Sequence, residues 1–299
     1  NRPMLTWVTF PCYVALFSVL IYFIGYKLRA GETEWNELSV VDVLPVAGDQ
    51  ADLRGRTYVS VYSPVSASYR VTSELPFAAL RREYMGHYAS MEIGRTAVEQ
   101  RGNNFTAKIA VPVWTSQLYV HDWRQREEAP VKVTVSARGG GWQVEIENRL
   151  DQPLQSGKVI LDGRVLDLGE LPARETRKIS LAPSDVTLDA FVRDHGHSFF
   201  SAASQRQQAF GRNRAPISDI PQSAMAASFL GRLDARPELG QHGRFISPPG
   251  LDLSPLLDQG GAIFLAWTPE FSPVKPIHQF SPRRVHRHTL WRLAVPVER

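Results

Sequence analysis

Residues 131–148 read Val-Lys-Val-Thr-Val-Ser-Ala-Arg-Gly-Gly-Gly-Trp-Gln-Val-Glu-Ile-Glu-Asn. Apolar side chains recur at every second position on either side of three glycines, and a period of two belongs to a strand with one buried face. The glycines supply the turn, so the stretch predicts a β-hairpin. Working downstream, the same alternation returns at 157–161, 165–168 and 176–181, with Asp162-Gly163 between the first two runs. Asp-Gly between apolar runs is a strong hairpin signal. Strands at this spacing predict an immunoglobulin-like sandwich module over 129–184.

Upstream, short alternating runs rich in Val, Tyr, Thr and Ile lie at 38–44, 57–63, 68–72, 87–93, 105–111 and 117–120, separated by turn residues. They define a β-rich domain over 35–128. Helical periodicity is confined to 185–243, where 185–208 and 218–233 can form amphipathic helices, the second capped by Ser218. The final segment, 244–299, holds a six-residue apolar run at 262–267 and an alternating run at 289–297. These read as strands completing the β body. The predicted fold is therefore mainly β, with a β-sandwich (immunoglobulin-like) body and a small helical insertion.

The first 34 residues are different. No charged side chain occurs from Pro3 to Tyr26. At roughly 1.5 Å per residue such a run extends about 33–36 Å, against about 30 Å of hydrocarbon in a bilayer. Residues 1–34 are accordingly expected to be a transmembrane helix and its flanks, with the lipid bilayer contacted through residues 5–26. Trp7 toward one end and Tyr22 and Tyr26 toward the other suit headgroup depth, and Lys27 and Arg29 can snorkel. The run is too long, and lacks the small-residue cleavage pattern, for a signal peptide.

Composition excludes several functions. The 299 residues carry a formal net charge of +4, and 43% of them are hydrophobic. That charge sits at the two ends: residues 1–29 contribute three cations and no acid, and residues 275–299 contribute six cations against Glu298. The body between them has 25 basic and 29 acidic residues. A slightly acidic body has no footprint for a long polyanion, so no nucleic-acid partner is expected. The single cysteine, Cys12, falls within the apolar run, and disulfides therefore give no clue to the compartment.

Four stretches carry a family resemblance: Arg2-Pro3-Met4-Leu5-Thr6-Trp7, Gly25-Tyr26-Lys27-Leu28-Arg29, Glu37-Leu38-Ser39-Val40-Val41-Asp42-Val43 and Tyr58-Val59-Ser60-Val61-Tyr62-Ser63-Pro64. Together they resemble a group of uncharacterised bacterial membrane proteins with a transmembrane hairpin and extracytoplasmic β-rich domains, some with an upstream glutamine-amidotransferase-like domain. Asn148-Arg149-Leu150, Pro153-Leu154, Leu168-Gly169 and Leu171-Pro172 look like sandwich strands of the same group. The resemblance implies a bacterial inner (cytoplasmic) membrane location, single-pass in this chain, with the body outside the cytoplasm. The count of Lys and Arg flanking the helix points weakly the other way.

Two groups of side chains could carry chemistry. His195 with His197, and His286 with His288, form His-x-His pairs that could each supply two metal ligands, but zinc needs three or four converging at about 2.0–2.2 Å. Asp194 could add a carboxylate to the first pair, but nothing in the sequence shows that His121, His242 or His278 completes either set, and neither a metal nor another cofactor is assigned. Arg283, Arg284, Arg287 and Arg292 form a basic tail suited to anionic headgroups or an envelope protein partner. There is no nucleophile elbow or phosphate loop, and no catalytic residue is assigned. The expected function is binding or scaffolding in the cell envelope. The alternatives are an envelope enzyme whose catalytic domain lies upstream of this chain and a metal-dependent hydrolase using the His-x-His pairs.

Overall fold

The alternating runs fold as strands, and most of them join one sheet. The structure, a computed structural model, describes residues 3–29, 32–82, 95–138, 141–182, 185–205, 219–234 and 250–298. The predicted strand at 87–93, the Ser218 cap and the end of the helical run at 206–208 lie outside the described residues. The strands are β1 (Glu34–Pro45), β2 (Gln50–Ser63), β3 (Ala67–Ser73), β4 (Ala79–Arg82), β5 (Thr96–Arg101), β6 (Asn104–Val111), β7 (Thr115–Glu128), β8 (Val131–Arg138), β9 (Gly141–Asn148), β10 (Leu154–Leu161), β11 (Arg164–Leu171), β12 (Thr176–Leu181), β13 (Ala262–Pro269), β14 (Arg284–Val295) and β15 (Val297–Glu298). The helices are α1 (Pro3–Arg29), α2 (Leu188–Gln205), α3 (Ile220–Ala226), α4 (Gly231–Asp234) and α5 (Ser254–Leu257). The mainly β expectation holds.

An eight-stranded sheet in the order β11-β10-β13-β14-β1-β2-β7-β4 runs through the body, with smaller sheets β12-β9-β8-β15 and β3-β6-β5. Every pair in the large sheet is antiparallel except β1 with β14. β2 and β7 have 14 residues each, about 46 Å at 3.3 Å per residue. That length lets one face of the large sheet cover two partners. Val41, Val43, Leu53 and Trp123 pack with Val133, Val135, Val144 and Ile146 of the four-stranded sheet. Further along the same face, Trp35, Val59, Val61 and Tyr119 pack with Val71, Phe105, Ala107 and Ile109 of the three-stranded sheet. The opposite face of β10, β13, β14 and β1 is covered by helices, with Val40, Ile160, Leu265 and Leu290 against Leu188, Val192, Met225 and Phe229.

The structure redraws the predicted sandwich module. β8, β9 and β12 form its one sheet, but β10 and β11 belong to the large sheet because β13 takes the free edge of β10, Lys158 opposite Leu265. Its core is closed by β1, β2, β13 and β14, so residues 129–184 share one hydrophobic interior with the segments on either side. The pairing partner lies about a hundred residues onward, beyond the reach of a local pattern.

Between the two cores on the shared face runs a polar belt. Ser39 Oγ and Thr57 Oγ1 are 2.9 Å apart, and Trp123 Nε1 donates to Thr57 Oγ1 at 3.0 Å. The indole fits because residue 55 is glycine: a Cβ there would stand 1.9 Å from Trp123. His121, 1% exposed, lies in the same belt beside the edge of Phe105, and its Nε2 has no hydrogen-bond partner.

α1 runs 27 residues and contains Pro11. The side chains of residues 3–6, 8 and 25–29 lie outside the described set. Among the described residues, which leave out the side chains at both ends of α1, no helix is long and apolar enough to cross a membrane, so the predicted span over 5–26 is not borne out there. The large apolar side chains described on α1, from Trp7 and Phe10 to Ile24, are exposed.

Two outcomes follow from this packing. Gly55→Val should cost about 1–3 kcal/mol by overpacking against the buried Trp123, read as a lower denaturant midpoint, and Trp123→Ala in the same chain should suppress that increment. Burial pushes the His121 pKa down to about 4 from its ordinary 6.5. Because the folded state disfavours the charged ring, stability is full above about pH 6.5 and falls as pH drops toward 4, by about 3 kcal/mol at most. His121→Phe should flatten most of that slope in unfolding measured between those pH values.

Candidate functional site

Most of the side chains singled out in the sequence fall on β14, and strand alternation sorts them onto two faces. His286, His288 and Arg292 lie on the helix-covered face. Arg287 lies on the face shared with Trp35 and Glu37 of β1, since Glu37 and Arg287 are register partners in the parallel pair.

On the first face, both imidazoles converge on one carboxylate. His286 Nδ1 lies 3.3 Å and His288 Nε2 3.9 Å from Glu270 Oε1. Glu270 follows β13 and holds a left-handed backbone, φ 49°. The His288 ring stacks on Trp267 at 5.2 Å between centroids, and burial pushes its pKa down against the opposing pull of Glu270. Its Nδ1 is buried without a hydrogen-bond partner. Among the described residues, no group of three His, Cys, Asp or Glu is placed to hold a metal ion. His195 is on α2, its ring 4.8 Å from Phe191, and the His197 side chain is outside the described residues.

On the second face Arg287 belongs to a half-buried clasp. Its Nη2 donates to His278 Nε2 at 3.0 Å, and its Nε lies 3.5 Å from Glu37 Oε2. Trp35 Nε1 donates to the other oxygen of Glu37. Burial pushes the Glu37 carboxyl up, opposed by Trp35 and Arg287. His278 Nδ1 meets the Phe280 carbonyl at 2.8 Å, which fixes that nitrogen as the donor and leaves Nε2 as the acceptor. The ring also stands edge-on to Trp35, 5.0 Å between centroids. The segment carrying His278 continues the three-stranded sheet: Thr72 N donates to Ile277 O, and Gln279 N donates to Arg70 O. The clasp ties the β13–β14 connection to both sheets at once.

The predicted basic tail is reduced by these contacts. Arg292 is corrected outright: it is 3% exposed and cannot present charge to a headgroup or a partner. Its Nε and Nη2 form a two-pronged pair with Asp42 at 2.7 and 2.9 Å, and its remaining donors reach the Gly250 and Leu251 carbonyls. Helices cover this face of β14, which the strand pattern does not reveal. Arg287 is three-quarters buried. Arg283 Nη1 and Arg284 Nε bond Glu32 at 3.3 and 3.1 Å, and Arg284 lies 3.6 Å from Glu34. Those hydrogen bonds hold the Glu32 carboxyl below its ordinary range. Trp35, Glu37, Asp42, Glu270 and His278 were missed in the sequence. The one available signal was Glu37, a carboxylate on the inward phase of an alternating strand.

No protein-family model matches the sequence, and comparison with curated proteins gives no match. Among solved structures, the chain is similar to the yeast delta-COP-I mu-homology domain complexed with a Dsl1 WxWxV peptide, with TM-score 0.40 and 7% identity over 89% of this chain and 98% of that one. The uncomplexed yeast domain gives 0.39 and 8% identity, with the same coverages. The Fcho1 mu homology domain of Danio rerio with a bound Eps15 peptide gives 0.35 and 6% over 89% and 99%. At these TM-scores the likeness carries neither a fold assignment nor a binding role.

Opening the clasp is testable by pH. Protonating His278 would set two donors, its Nε2–H and the Arg287 guanidinium, against each other. The His278 pKa is pushed down by burial and Arg287, so the clasp is intact above the ordinary histidine value and is lost as pH falls below it. The protection of amides 277–280 relative to their intrinsic exchange rates should fall as pH drops below the ordinary histidine value in the native chain, and His278→Gln should make that protection low and independent of pH.

Proposed function

We propose that the chain is a membrane-anchored extracytoplasmic protein of the bacterial inner membrane, with α1 as its anchor and the β body as a binding or scaffolding module in the cell envelope. One observation carries this reading: the run from Pro3 to Tyr26 has no charged side chain, and α1 leads within five residues into β1. A helix of that composition buries its apolar side chains in a bilayer far more cheaply than in water. Polar groups in the body also support a scaffold. The arginines of β14 are engaged with acids of β1, in the Asp42–Arg292 pair and the Glu37–Arg287–His278 clasp, where they fix the sheets together.

The test is membrane retention. The full chain expressed in a bacterium should stay in the pellet through alkaline carbonate extraction, and deleting residues 1–29 should release the body. Release of the full chain by carbonate, or retention of the deleted one, overturns the anchor. A reporter fused after Arg299 active only in the cytoplasm would overturn the extracytoplasmic assignment.

A further inference from the structure

The register places one end of the large sheet at the exit of α1. Glu34 at the start of β1 is opposite Arg284 at the start of β14 and Tyr62 near the end of β2, and Ser63 is opposite Thr115 at the start of β7. These four strand ends span about 14 Å at the usual 4.7–4.9 Å spacing. Arg29 and Glu34 are five residues apart, so at 3.8 Å per step at most about 19 Å of chain joins α1 to this rim.

The same rim carries exposed apolar side chains on two adjoining turns. The β6–β7 turn presents Val113 and Trp114, 41% and 53% exposed, and the β2–β3 turn presents Val65, 42% exposed. The turns are held together, because Trp114 N donates to Ser63 O at 2.8 Å, while Ser63 Oγ donates to Val65 O. Trp114 has φ 56°, a left-handed backbone that a bulky residue adopts at a cost of about 1–2 kcal/mol. An indole left about half exposed on such a backbone gains little from packing within the body.

Resting on the anchor reading above, we infer that the rim formed by Val65, Val113 and Trp114 lies in the headgroup region of the bilayer that holds α1. An indole has an apolar body and one N–H donor, which suits that depth. Attraction to anionic lipid is a minor part of the contact, because the cations of the rim, Arg283 and Arg284, are neutralised by Glu32 and Glu34. The seat therefore depends on apolar insertion and depends little on salt.

The experiment uses the full chain with Cys12→Ala, reconstituted in phosphatidylcholine vesicles, carrying one environment-sensitive fluorophore on Trp114→Cys, Val113→Cys or Ala47→Cys. Ala47 is exposed in the β1–β2 turn at the far end of the sheet. Headgroup-level spin-labelled lipid should quench the label at 114 and at 113, at low and high salt alike, and should leave the label at 47 bright. If carbonate retains the chain but neither rim label is quenched, the seat is overturned and the anchor stands. A blue-shifted but unquenched label at 113 or 114 marks a protein neighbour and also overturns it. Quenching lost at high salt replaces apolar insertion with charge attraction and overturns the proposal as stated. Extraction of the chain by carbonate removes the anchor, and the seat with it.

Discussion

Asp42 and Arg292 are 250 positions apart in the chain and directly opposite one another in the only parallel pair of the large sheet. β1 and β14 sit at its middle, and every other strand of that sheet is reached from one of them through an antiparallel neighbour. A parallel neighbour cannot come from a hairpin, so this contact must be found across most of the chain, and loop closure opposes it. The two-pronged ion pair opposes that cost with a geometry few other registers satisfy. It reaches a second layer too, since Arg292 also bonds the carbonyls of Gly250 and Leu251 beside the helices. An arginine buried with an incomplete set of partners would be strongly destabilising, which makes this one register far preferable to its neighbours.

The inner face solves a different problem. Its long strands cover two smaller sheets, and the join between the two cores is polar: Ser39, Thr57 and Trp123 satisfy one another there, and His121 lies alongside. A continuous apolar strip would tolerate sliding of either small sheet along the strands. Hydroxyl and indole groups that must meet within 3.0 Å do not.

Local features were legible in the sequence, and distant ones were not. The hairpin of β8 and β9 and the turn at Asp162-Gly163 show because strand and partner adjoin within a few residues. The helix after Pro183 shows by its period, although α3 is capped by Asp219, whose side chain accepts from Gln222 N. β10 reads as part of a separate sandwich because its second partner, β13, is far off in sequence. β14 hides its surroundings most completely. Its tail looks basic and alternating, yet residues from Thr289 to Leu293 are buried on both faces. Alternation implies a solvated face only where nothing lies over the sheet, and composition does not reveal the covering helices. The carboxylates that neutralise the arginines, Glu32, Glu34, Glu37 and Asp42, come from the other end of the chain.

The position of β1 between β14 and β2 has a mechanical side. A pull transmitted through α1 enters the body at Glu34 along the axis of β1. Nine register pairs with β14 and twelve with β2 then resist in shear, and none can be peeled away singly. A strand at the sheet edge, loaded from its end by a hairpin, would unzip pair by pair. In this topology the point where such a pull would enter lies at the centre of the sheet, so the load is shared by both neighbours of β1 and bypasses the sheet edges.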